Sequence, residues 1–86
     1  MKLLGNFDTS GNAIEVTLSY DGNTAYVADG QSGLQIIDVT DKSNPILLGS
    51  YDTSGSFGLA LSQDGNTAYV GDGVSGLLII DITDKS

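Results

Sequence analysis

The chain has 86 residues, a net charge of −8, no cysteine and no histidine. That length allows one small domain, and the missing cysteines exclude a disulfide framework and a thiolate metal site. The missing histidines remove the commonest general base and transition-metal ligand, and the acidity argues against nucleic acid and anionic membranes as partners.

Residues 2–8 open the chain as an expected strand, repeated at residues 47–52 around Leu48-Gly49-Ser50-Tyr51-Asp52. The start, Met1-Lys2-Leu3-Leu4-Gly5, is too short an apolar stretch for a signal peptide, and no run reaches the ~18 apolar residues of a membrane span. Thr9-Ser10-Gly11 and Thr53-Ser54-Gly55 read as turns. Ile14, Val16 and Leu18 alternate at strand period, as do Phe57, Leu59 and Leu61 in the second copy. One residue fewer separates the turn from the strand there, so the preceding loop absorbs the slip.

Asp21-Gly22-Asn23 and Asp64-Gly65-Asn66 carry hairpin-turn chemistry. Strands are expected at 24–28 and 67–71, then turns at 29–33 and 71–76. The aliphatic runs 34–39 and 77–82 follow, continuous enough to predict strands buried on both faces. Residues 40–45 form a third turn, with Pro45 where a strand can begin without its N–H, and 46–51 is a further strand. Residues 21–27 return 43 positions later as 64–70, and across 19–43 against 62–86 only 5 of 25 positions differ. The repeat units are therefore approximately 1–43 and 44–86. Four short antiparallel strands per unit, joined by tight turns, predict an all-β chain of β-propeller blades.

Residues 25–30, 32–39 and Asn44-Pro45 resemble the LVIVD repeat family, which occurs in bacterial and archaeal surface or secreted proteins. The resemblance spans essentially the whole chain in two consecutive copies. It implies propeller blades and offers no catalytic residues to transfer. Glu15 departs from it, standing on the innermost strand where a small residue is expected.

With inner strand 13–19, a blade reads A (13–19), B (24–29), C (33–39), D (46–51). The chain then runs D, A-B-C-D, A-B-C, with the missing strand present at residues 2–8. This phase reads as a two-blade fragment, engineered or cut from a longer propeller. It predicts two four-stranded blades per chain in a ring completed by homo-oligomerisation with strand exchange: four chains and eight blades, or three chains and six. Leu3, Leu4 and Phe7 on the donated strand, with Leu77, Ile79 and Ile80 on the receiving blade, are the expected assembly residues.

Chemistry is scarce. Gly71-Asp72-Gly73-Val74-Ser75-Gly76 spells G-x-G-x-x-G, but a dinucleotide loop must open a helix, and here it opens an aliphatic strand. Asp21-Gly22-Asn23 lacks the later ligands of a calcium loop. Asp29 and Asp72 are expected to accept N–H bonds in their turns, and Asp38 and Asp81 to bond loop amides. With no histidine, and lysine only at 2, 42 and 85, no base is at hand to activate a hydroxyl, so no enzyme and no cofactor are expected. The alternative is a binding module that uses the ring's channel or loop face for a small ligand, cation or protein. Glu15, the sole glutamate, is its one channel candidate, where symmetry-related carboxylates could recruit Ca²⁺ or Mg²⁺.

Overall fold

The repeated Asp-Gly-Asn chemistry is realised twice in a computed structural model, which describes residues 1–9, 11–53, 55–73 and 76–84. Gly22 and Gly65 take φ of 77° and 76°, a conformation in which a Cβ is strained. Around Gly22, Asp21 Oδ1 accepts the Ser19 hydroxyl at 2.6 Å and the Asn23 N–H at 2.9 Å, while Ser19 Oγ accepts the Thr24 N–H at 3.1 Å. The same three bonds recur around Gly65 through Asp64, Ser62, Asn66 and Thr67. Each turn is thus closed by its own six residues. The expected turns at 9–11, 53–55 and 71–76, and the end of the second unit, lie partly outside the described residues.

Between these turns the chain forms β1 (Glu15–Leu18), β2 (Thr24–Ala28), β3 (Leu34–Asp38) and β4 (Ile46–Tyr51), then β5 (Ser56–Leu61), β6 (Thr67–Asp72) and β7 (Gly76–Asp81). All pairings are antiparallel, and each strand pairs with its neighbour in sequence: β1-β2-β3-β4 in one sheet, β5-β6-β7 in the other. The chain is all-β, with no helix among the described residues. A main-chain bridge ties the sheets together: Gly30 N–H donates to Ser56 O at 3.1 Å, and Ser56 N–H to Gly30 O at 2.9 Å.

Register decides what each face carries. In the first sheet Tyr26 pairs with Ile36 and Ala28 with Leu34, so these four share a face. In the second, Leu59, Val70 and Leu78 align, as do Leu61, Ala68 and Ile80. These two faces meet, and with Ile82 they make the principal core. Fully burying one such aliphatic side chain is worth about 1.5–3 kcal/mol, so this contact holds the sheets together. A smaller cluster, Ala25, Val27 and Ile37, lies on the opposite side of the first sheet, packed by Phe7 and Val39.

Three expectations need correction. Residues 2–8 are not a strand in the single chain, because no sheet edge lies alongside to complete a ladder. Residues 77–82 are not buried on both faces as 34–38 are: Leu77 and Ile79 are exposed, since the second sheet has a neighbour on one side only. Phe57 does not continue the alternation of Leu59 and Leu61, because a bulge between Ser56 and Gly58 turns it out to solvent.

Candidate functional site

The repeat places the same residues on equivalent faces, yet those faces meet different fates. Tyr26 is 1% exposed and its counterpart Tyr69 is 38%; Leu34 is 0% and Leu77 65%; Ile36 is 6% and Ile79 66%. The register that aligns Tyr26 with Ile36 and Ala28 with Leu34 also aligns Tyr69 with Ile79 and Gly71 with Leu77. The outward face of the second sheet is therefore a copy of the face that the first sheet buries.

The other end of the molecule offers the matching half. On the second sheet Leu59 is 8% exposed against the first, whereas its counterpart Val16 is 57% exposed. Leu18 is bare as well, while its counterpart Leu61 is half-buried. The outer part of that face, Ala25, Val27 and Ile37, is covered within the chain by Phe7. Open edges accompany the open faces, for among the described residues β7 pairs only with β6.

Of the expected assembly residues, Leu3, Leu4, Leu77 and Ile79 are exposed. Phe7 is already half-buried on its own first sheet. Ile80 is a correction: it points towards the first sheet and packs on the principal core, so it belongs to the junction inside the chain. In a run of four aliphatics, Leu77-Leu78-Ile79-Ile80, composition cannot say which alternate pair faces outward.

Glu15 opens β1, the edge strand of its sheet, and is exposed, with its Oε1 3.8 Å from where a Cβ on Gly58 would lie. Among the described residues no group of three or more His, Cys, Asp or Glu is arranged to hold a metal ion. Asp29 behaves differently from the expected turn-capping aspartate: it is fully buried and bonds residues well upstream of its own turn. That connection spans 18 and 20 residues and has no local sequence signal.

A family-model comparison matches the LVIVD repeat at residues 10–53 and 59–86, one match for each sheet. The chain belongs to the LVIVD repeat family. Comparisons with curated proteins and with solved structures found no match. The two LVIVD matches separate at residues 54–58, where the chain passes from the first sheet to the second. Among the described residues no helix is long and apolar enough to cross a membrane.

Unlike Asp29, four other aspartates of these LVIVD repeats bond close to home, as expected of Asp38 and Asp81. The Thr40 hydroxyl and then its N–H hold the Asp38 carboxyl below the ordinary 3.8. Ser43 does the same for Asp41, the Ser62 hydroxyl and Asn66 N–H for Asp64, and the Thr83 N–H and hydroxyl for Asp81. Because these values fall on folding, the stability they carry is complete above 3.8 and is lost as pH drops below it. The melting temperature of Asp64→Asn should thus lie below the parent's at pH 6, with the gap shrinking as pH falls through 3.8. A gap that stays constant down to pH 2 would mean that the carboxylate charge contributes nothing to the turn.

Proposed function

We propose that the chain is a non-enzymatic self-assembly module, a pair of β-propeller blades that builds a closed ring with further copies of itself. The observation that carries this reading is the repeated face: Tyr69, Leu77 and Ile79 lie exposed in the pattern that Tyr26, Leu34 and Ile36 bury against the second sheet. A surface that already recognises the second sheet's inward face suits the equivalent surface, Val16 and Leu18 with the Phe7 cluster, on another copy. The contact is head to tail, so it closes when the rotation per chain divides a full turn. Residues 2–8 would then pair with the free edge of β7 as its fourth strand, covering an edge that otherwise invites aggregation.

Glycine and alanine on the inner strand, Gly58 and Ala60, favour many blades around a wide channel, hence four chains over three. Native mass spectrometry and light scattering should return four or three times 8.9 kDa at micromolar concentration. A monomer throughout that range would overturn the proposal, as would a continuous ladder of masses.

A further inference from the structure

Residues 2–9 are held by their own chain at the position from which they would be donated. Phe7 packs on the cluster of Ala25, Val27 and Ile37, beside Val39. Between the two sheets, Ser50 and Tyr51 of β4 line a groove together with Leu34 and Ile36 of β3 and with Ile80 and Ile82. Tyr51 is the repeat counterpart of Phe7, and Ile80 and Ile82 are those of Ile37 and Val39. The segment before β1 therefore stands to the first sheet as the end of β4 stands to the second. Against the first sheet, Phe7 thus takes the place that Tyr51 of an outer strand takes against the second.

What fixes it there is Asp29, which follows the last residue of β2 and is 0% exposed. Its two carboxylate oxygens both serve the upstream segment: Oδ1 accepts the Thr9 hydroxyl at 2.8 Å, and Oδ2 accepts the Gly11 N–H at 2.9 Å. The backbone of Asp29 is engaged separately, donating to Gly33 O at 2.9 Å and accepting from Ser32 N–H at 3.1 Å, so the carboxylate sits on a rigid turn. Hydrogen bonds to a buried charged acceptor are stronger than neutral ones and costly to leave unmade. Residues 2–8, by contrast, make no main-chain hydrogen bond with other described residues, and Leu3 and Leu4 are exposed. The anchor is firm at Thr9 and Gly11, and the part before it leaves its main chain unbonded to other described residues.

We infer that Asp29 is a latch that pins the end of residues 2–9 against its own first sheet, so that the segment is presented to the neighbouring copy from a fixed base instead of as a loose tail. This inference rests on the self-assembly reading and assigns Asp29 and Thr9 the role of positioning residues within it. Preorganisation acts on association, because the part of the ordering entropy that belongs to Phe7 and Thr9 is already spent before copies meet.

The test compares the parent with Asp29→Asn and Thr9→Val. The first removes the carboxylate's charge and leaves one acceptor oxygen where there were two, so the bonds to Thr9 and Gly11 lose their charge assistance; the second removes the Thr9 donor while keeping its shape and leaving the buried turn intact. Sedimentation should show the assembly dissociation constant raised about tenfold by Thr9→Val and more by Asp29→Asn, with the association rate reduced and circular dichroism unchanged. At dilutions where the parent is monomeric, nuclear Overhauser contacts from the Phe7 ring to the Val27 and Ile37 methyls should be strong in the parent and weak in both variants. Unaltered dissociation constants in a folded Thr9→Val would overturn the latch. If the parent never assembles, the ring reading fails, and the ring contacts of Phe7 decide the latch alone: equal contacts in parent and variants reject it.

Discussion

Removing residues 1–8 is expected to abolish assembly and to leave a marginally stable monomer. Two losses combine. In the proposed ring each junction would lose a donated strand with roughly five main-chain hydrogen bonds, about 1 kcal/mol each net. The monomer loses the cover that Phe7 places on Ala25, Val27 and Ile37, a side chain worth about 1.5–3 kcal/mol if fully buried. Sedimentation at micromolar concentration should find monomers or disordered aggregates, and the melting temperature should fall even at dilutions where the parent itself is dissociated. Leu3→Lys and Leu4→Lys touch only exposed side chains and leave main-chain pairing possible, so either should weaken assembly less. A truncated chain with the parent's mass and melting temperature would end the strand-donation proposal.

The second large effect separates two isoleucines that occupy the same place in the repeat. Ile36→Ala should cost ~2–5 kcal/mol, from lost transfer energy and the cavity left between the sheets. Ile79→Ala, at a side chain 66% exposed, should change the stability of the isolated chain by less than ~0.5 kcal/mol. Its cost should emerge as concentration rises and copies dock, because burial at the junction would then match that of Ile36. Chemical denaturation at two concentrations a hundredfold apart reads this directly. If Ile79→Ala is equally mild at both, Ile79 is not in a junction.

These two residues also mark how far the sequence alone could be read. Seven strands and the two Asp-Gly-Asn turns were legible because their causes are local: Asp-Gly-Asn closes a hairpin with bonds among six consecutive residues, and alternating apolar residues set the faces. The identity of Tyr26 with Tyr69 and Ile36 with Ile79 was legible too. Their difference in exposure was not, because it depends on whether a neighbouring sheet is present and not on the strand itself. The outward direction of Ile79 and inward direction of Ile80 rest on the register of β6 with β7, which a run of four aliphatic residues does not encode. The grip of Asp29 on Thr9 and Gly11 needed the fold, since only the packed first sheet brings residues 18 and 20 apart into contact.

The pairing of every strand with its neighbour in sequence has a kinetic consequence. Each sheet closes only short loops, so its hairpins can form within about 1–10 μs, before any contact between distant parts of the chain is required. The joint between the sheets, made by Gly30 with Ser56 and by the packed faces, comes within reach once both meanders exist. Folding of one chain is a first-order event independent of concentration, while in the proposed ring meeting another chain is a second-order event that slows on dilution. During synthesis the first sheet can be complete before the last strand of the second has emerged. In the proposed ring, the protein's time in solution with a bare face is governed by how many copies surround it and not by how quickly it folds.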